Sequence, residues 1–328
     1  MYKNQYIITD KNITPPSDSN SFKIGKFRLY TSKEIQFSIS NNKNIILLGY
    51  TFHCYNQSSE KEIVNKLSRL ENEQFLDEID NLCGHYVLFR NKQQINIYTD
   101  ASSSFKVFYG ESNKNTFIGS DPRILNKYSN FNLHTKTDKK IFYESDYFLK
   151  NRIKIGHHTR YKDMYQLISN HKLIIENLIS ERIFPREKRL EISMQNAKDK
   201  LIPIFENILT KIEEKYTIFS SITAGYDSRL LMSATKKISH KIQYYTFQLP
   251  EKSTNFIDYT IPKSICSNLK LNYISIKISE LDNNTKNTIE NIYDLPKEKP
   301  FQQYKDIFPD NKKPNILLVG FVSEIAKN

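Results

Sequence analysis

Residues 216–229 read Tyr-Thr-Ile-Phe-Ser-Ser-Ile-Thr-Ala-Gly-Tyr-Asp-Ser-Arg, and the fold of the C-terminal half follows from them. Tyr216–Ile222 is a β-branched and aromatic run, and a helical pattern extends from Ser228 to Lys237. Only Thr223-Ala224-Gly225-Tyr226-Asp227 separates the two. A strand that enters a helix through a tight loop puts backbone N–H groups and the positive helix end at the carboxyl edge of a sheet, where anions bind. Gly225 permits close backbone approach to a phosphate. Thr223 and Ser228 offer hydroxyls to phosphate oxygens, with Ser221 a lesser candidate at the strand end. Asp227 suits Mg2+, and Arg229 either adds charge or faces solvent. Taken alone, the hexapeptide also fits an ordinary helix start, with Asp227 or Ser228 as N-cap and Gly225 as a turn residue. It lacks the Gly-Lys-Ser/Thr of a Walker loop and the repeated glycines of a dinucleotide fingerprint.

Strand and helix continue to alternate after the loop. Lys241–Phe247 reads as a second strand, Asp258–Leu269 as a helix, Tyr273–Ile278 as a third strand and Asn315–Val319 as a fourth. Such alternation means a parallel sheet with helical crossovers. Before the loop, Ile192–Glu214 places Met194, Ala197, Leu201, Ile204, Ile208 and Ile212 at helical spacing. The rhythm further upstream is different. Asn44–Phe52, His85–Arg90, Ile95–Thr99, Lys106–Tyr109 and Thr116–Gly119 are strand-like and divided by polar turns, which implies antiparallel hairpins. Glu60–Leu70 and Phe75–Ile79 interrupt them with helical spacing. The boundary is expected between Pro185 and Glu191, giving domains over residues 1–185 and 191–328.

Composition narrows the class. The 328 residues carry a formal charge of +12 with no Arg-rich stripe, so a solvated basic surface is expected and nucleic acid is not an expected partner. Tyr and Phe, 21 and 20 copies, supply the bulk that the absent Trp would otherwise provide. Cys54, Cys83 and Cys266 are too far apart for a zinc pattern, and Cys54 and Cys83 read as buried structural thiols. The N-terminus lacks the apolar core of a signal peptide, and no apolar run would span a bilayer. A cytoplasmic protein without membrane partners is expected, and a homodimer is compatible with this reading. His157-His158 reads as a surface pair with no metal-ligand spacing.

Thr223–Ser228 resembles the Ser-Gly-Gly-x-Asp-Ser loop of the N-type ATP pyrophosphatases, with Thr223 and Ala224 in place of the first Ser and Gly. In particular it is similar to the asparagine synthase family, whose members carry an Ntn-hydrolase-like glutaminase domain ahead of that loop. Ile79–Tyr86, Thr99-Asp100 with Val107-Phe108-Tyr109, Ile118–Pro122, Asn170-His171 and Phe184-Pro185 resemble successive pieces of that domain and its junction. The resemblance spans about residues 40–328. It implies an N-terminal antiparallel β-sandwich with helices, followed by a Rossmann-like parallel-sheet domain: α+β and then α/β. It also implies ATP and Mg2+ as cofactors, held by Ser221, Thr223, Ala224, Gly225, Tyr226, Asp227 and Ser228. Asp258 matches an acidic position near the nucleotide, or is simply a carboxylate at a helix start. Thr246 and Gln248, at the end of the second strand, are candidate adenine or ribose neighbours.

The chain departs from the family in two places. Position 2 is Tyr2 where a working glutaminase has its nucleophilic Cys, so no glutamine hydrolysis is expected. Leu318–Glu324 aligns with the turn that helps bind magnesium pyrophosphate; it keeps Gly320 and Glu324 but has Phe321 for an acid, and the sequence then stops at Asn328 as if short of the family's C-terminal helices. With Asp227 and Glu324 as catalytic and metal-binding residues, the expected activity is an ATP-dependent amide-bond ligase acting on a small-molecule or peptide carboxylate and an amine. A non-catalytic nucleotide-binding scaffold and a tRNA-modifying adenylating enzyme are the alternatives.

Overall fold

The computed structural model describes residues 4–135, 156–188, 191–248, 256–277, 283 and 313–319. Among these, the chain divides into two compact units. The first comprises the described residues through Lys188 except 54–57, and the second comprises 54–57 and the described residues from Glu191 onward.

The first unit holds two antiparallel sheets. One runs β10 (Met164–Gln166), β8 (Phe108–Ser112), β9 (Asn115–Gly119), β1 (Tyr6–Thr9), β3 (Phe27–Ser32), β2 (Ser19–Ile24). The other runs β12 (Ile179–Arg182), β11 (His171–Ile174), β7 (Ile95–Thr99), β6 (Leu82–Asn91), β5 (Ile45–His53), β4 (Phe37–Ile39). The alternation of side chains along a strand explains how three buried layers arise from these two sheets. On β1, Tyr6 and Ile8 join Leu48, Val87, Phe89 and Ile97 in a core fed by both sheets, while Ile7 packs with Phe117, Ile124 and Leu125 beneath α3 (Pro122–Tyr128). On β5, Ile46 and Leu48 enter the inter-sheet core; Ile45 and Leu47 meet Ile63, Val64, Leu67 and Phe75 of α1 (Glu60–Arg69) and α2 (Asn72–Asp80). Strands covered on both faces therefore read as continuous apolar runs. A capping box between Ser59 and Glu62 starts α1.

The expected hairpins are present, since β6 pairs with β7 and β8 with β9. They lie in different sheets, because β7 turns to β11 and β8 to β10. Cys54 and Cys83 are half-buried rather than buried, which corrects the sequence reading. Cys83 pairs with Phe52 toward the end of the β5–β6 ladder, and Cys54 lies just past it, where the apolar layers run out.

The second unit carries a parallel sheet ordered β15 (Tyr273–Lys277), β14 (Ile242–Gln248), β13 (Thr217–Ser221), β16 (Asn315–Leu318). β13 pairs in parallel with β14 on one side and with β16 on the other. Helices α4 (Met194–Lys215), α5 (Tyr226–Ala234) and α6 (Ile257–Asn268) accompany it, with a 3-10 turn at Lys236–Lys241. Residues 54–57, expected with the first domain, group with the second unit because α4 holds their backbone. Asn207 Nδ2 donates to the carbonyls of Cys54 and Asn56 at 3.2 Å each, and the buried Lys211 ammonium donates to that of Gln57. The fold is thus mixed, an antiparallel two-sheet unit and a parallel α/β unit. Among the described residues no helix is long and apolar enough to cross a membrane.

Candidate functional site

Strand order places the site. From β13 the chain moves to β14 and β15 in one direction, and β16 lies on the opposite flank of β13. The carboxyl end of β13 is therefore a topological switch point, the position where open parallel sheets leave a crevice for ligands. Residues 222–225 occupy that end. Ile222 stays tied to the sheet, its N–H donating to the Tyr245 carbonyl at 2.9 Å and its carbonyl accepting from Thr246 Oγ1 at 2.6 Å.

The helix after the loop starts at Tyr226, two residues earlier than its sequence pattern suggests, with Gly225 as N-cap and no side chain capping it. Asp227 and Ser228 are thus inside the first turn rather than at the cap. Gly225 has φ −68° and ψ 154°, an extended conformation open to any residue. A Cβ there would lie 3.2 Å from Thr223 Oγ1, a contact that a shift of a few tenths of an ångström in that hydroxyl relieves.

Hydroxyls and one carboxylate organise the loop. Ser228 Oγ accepts from the Thr223 N–H at 3.0 Å, lies 3.1 Å from Thr223 Oγ1, and has the carbonyls of Thr223 and Gly225 within 3.1 and 3.2 Å. Gly225 N–H donates to Thr223 Oγ1 at 3.2 Å. Ala224 N–H donates to Asp258 Oδ1 at 3.1 Å, which brings the first turn of α6 onto the loop. Arg229 donates through Nε to the Gly225 carbonyl at 3.3 Å, and its guanidinium lies 4.8 Å from the Tyr226 ring centre. This i, i+3 pair at the loop's outer edge was open to discovery from spacing alone. Tyr226 is 81% exposed, so its ring lies outside the core.

The predicted residues fall into three groups. Thr223, Ala224, Gly225, Ser228 and Asp258 form one hydrogen-bonded assembly, with Tyr226, the half-buried Asp227 and Arg229 on the same first turn. Ser221 ends β13, half-buried and in register with Tyr245. Thr246 is 5% exposed, and its hydroxyl donates to the Ile222 carbonyl, which braces the loop's root. Gln248 ends β14 and is half-buried. Gly320 and Glu324 lie outside the described residues.

The donor set, hydroxyls and a helix start without a side-chain cap, suits a polyphosphate. For Mg2+, no group of three acidic, His or Cys ligands occurs among the described residues. Mg2+ takes one or two carboxylates and completes its shell with substrate phosphates and water, so Asp227 with a bound polyphosphate is a suitable set. Cys266, fully buried in α6, has its thiol pushed up to about 11 by burial and takes no part as a thiolate.

The first unit has a polar cluster that sequence reading passed over. Asp100, 2% exposed, accepts from the N–H groups of Ser102, Ser104 and Phe105 and from both serine hydroxyls, at 2.6–3.2 Å. Ser104 Oγ lies 2.8 Å from His85 Nδ1, and the imidazole stacks on Phe105 at 4.7 Å and 3°. Burial pulls the His85 pKa down, partly opposed by the Asp100 charge. Asp100 thus closes the turn after β7. His157 and His158 are both exposed.

No protein-family model matches the chain, and no curated protein does. Solved structures similar to it include a glutamine-dependent NAD+ synthetase from Acinetobacter baumannii in complex with ADP, at 11% identity and a TM-score of 0.28 over 53% of this chain. A glutamine phosphoribosylpyrophosphate amidotransferase from B. subtilis complexed with ADP and GMP gives 10% identity and 0.30 over 80%. A structure described as the allosteric regulatory enzyme of purine biosynthesis gives 10% identity and 0.31 over 96%. The chain spans 34%, 56% and 74% of the length of these three.

Proposed function

We propose that the second unit binds the polyphosphate of ATP at Thr223–Ser228 and activates a substrate carboxylate for amide formation, as the resemblance to the asparagine synthase family implies. One observation supports this most: a hydroxyl-lined loop entering a helix without a side-chain cap, set at the switch point of a parallel sheet. In the proposed reaction a carboxylate oxygen of the acid attacks the α-phosphorus of ATP, and the bond to the bridging oxygen breaks as pyrophosphate leaves. The amine then attacks the acyl carbon, loses a proton and expels AMP. Charge accumulates on the departing pyrophosphate, where the helix start and the hydroxyls of Thr223 and Ser228 stabilise it. Asp227 is the residue assigned to Mg2+, which neutralises the polyphosphate when bound.

The test compares wild type with Asp227→Ala in two measurements. ATP with Mg2+ at about 100 times its Kd should stabilise the wild type by about 2.7 kcal/mol, and the variant should lose that shift. With suitable acid and amine, wild type should release pyrophosphate. A variant that released it at the wild-type rate would refute the assignment, as would a wild type that ATP leaves unshifted.

A further inference from the structure

We propose that Arg229 is a specificity-determining residue of the loop, a guanidinium held in advance to grip the diphosphate end that ATP shares with inorganic pyrophosphate. The inference rests on the pyrophosphate-loop reading above and names the part of the ligand that α5 recognises.

Arg229 leans back along α5 toward the helix start, as long helical side chains do. Its Nε donates to the carbonyl of Gly225 at 3.3 Å, and its guanidinium carbon lies 4.8 Å from the ring centre of Tyr226. A cation is thus stationed at the positive end of a helix, where the macrodipole favours an anion. Neither capping nor ion pairing accounts for the placement. The Gly225 carbonyl, at the N-cap, already accepts the first intrahelical bond and has Ser228 Oγ at 3.2 Å. Among the described residues the polar contacts of Arg229 are the Gly225 carbonyl and the Tyr226 ring, neither of them a carboxylate. Asp227 stands two positions away on the same helix, a spacing at which side chains do not face each other.

The two contacts prepare the group for a ligand. With Nε on the carbonyl, the Nη donors remain, and a pair of parallel N–H groups is what engages phosphate oxygens best. Tyr226, 81% exposed, adds little to the core; what its ring offers is a face on which the guanidinium rests. A group held at one edge and on one face loses less freedom when an oxyanion arrives than a freely solvated side chain does. Position selects the part of the ligand. Arg229 follows Ser228 and leans to the same helix start, where the proposed reaction leaves pyrophosphate. The anion within its reach is therefore the β,γ-diphosphate rather than the α-phosphate that carries the acid.

Calorimetry on the full chain, with ATP and with inorganic pyrophosphate in the presence of Mg2+, tests this. Melting curves of the unliganded variants establish that each is folded. Arg229→Ala should weaken both ligands by the same factor, about tenfold or more, as expected for loss of a charge-assisted hydrogen bond. Arg229→Lys, which keeps the charge without the fork, should fall between wild type and the Ala variant, and it carries the test if the Ala variant does not fold. Tyr226→Leu removes no donor to the ligand, only the platform, and should weaken both by about threefold. If wild type binds pyrophosphate and neither Arg229 variant binds it less tightly, the assignment is wrong and the loop reading stands. A loss for ATP that spares pyrophosphate would also overturn it, because the contact would then lie on the adenosine or α-phosphate side. If wild type binds neither ligand, the loop reading fails and this inference with it.

Discussion

Replacing Ser228 by Ala probes how the loop is held. Ser228 is 7% exposed, and its single hydroxyl serves several neighbours. It accepts the Thr223 N–H at 3.0 Å and has one proton to give, to the Thr223 or the Gly225 carbonyl at 3.1 and 3.2 Å. Alanine removes the acceptor and leaves the Thr223 N–H without it. A buried orphan donor costs about 1–3 kcal/mol. Thr223 is half-buried, so water recovers part of that, and the estimate falls to about 1–2 kcal/mol. Loss of the donated bond adds little, because the hydroxyl's own desolvation cost disappears with it.

For a unit of this size, that loss lowers the melting temperature by about 3–8 °C. Thermal unfolding followed by circular dichroism measures it, and hydrogen exchange over residues 216–235 locates it. Ser233→Ala is the matched control: Ser233 lies on the same helix, exposed, with its hydroxyl on the Arg229 carbonyl at 2.9 Å, and the change should stay within about 0.5 kcal/mol. If Ser228→Ala is as mild as the control, Ser228 does not anchor the loop and the geometry around Thr223 has been misjudged.

Three further predictions concern the frame around the sites. Gly49 and Gly84 have φ of +90° and +145°, and a Cβ would stand 2.1 Å from the His85 carbonyl oxygen and 2.3 Å from that of Tyr50; either Gly→Ala change should cost at least about 3 kcal/mol, read as loss of soluble protein or a collapsed melting curve. Thr246→Val should destabilise the second unit by about 1 kcal/mol through the orphaned Ile222 carbonyl, while leaving the Kd for Mg2+–ATP within about threefold of wild type; a larger binding loss would restore Thr246 as a ligand contact. For His85, burial depresses the folded pKa below the 6.5 of a free imidazole, so the unfolded chain takes up the proton first on acidification. Its contribution is fully present above pH 6.5 and is lost as pH falls below that value toward the folded pKa; stability should drop more between pH 7 and 5 in wild type than in His85→Gln, and equal drops would refute it.

How much of this was legible in the sequence depends on the range of the interactions concerned. The β13–loop–α5 junction was legible because strand, breaker and helix are each local signals, and Thr223 and Ser228 are close enough in sequence to find each other. The helix start was misplaced by two residues because Gly225 caps α5 without a side chain, leaving no Ser or Asp at the cap to mark it. The hairpins β6–β7 and β8–β9 were visible as alternating runs, but their assignment to separate sheets depends on β10 and β11, more than fifty residues away in sequence. Nothing local in Cys54–Gln57 indicates attachment to α4, since the bonds run from Asn207 and Lys211 to main-chain carbonyls that every residue possesses.

Asp258 and Thr246 show why a residue's type and its place at the sheet edge do not fix its role. Both stand near the carboxyl edge of the parallel sheet, where a polar side chain reads as a ligand contact. Thr246 turns back along its own sheet to the Ile222 carbonyl and is 5% exposed, whereas Asp258 reaches out from α6 to the Ala224 N–H. One therefore holds the root of the loop and the other holds the donor at its tip. The two substitutions should accordingly separate: Thr246→Val lowers stability with little effect on ligand affinity, and Asp258→Asn alters ligand affinity with little effect on stability. Exchanged outcomes would mean that the loop is braced from α6 and read from β14, the reverse of what these hydrogen bonds describe.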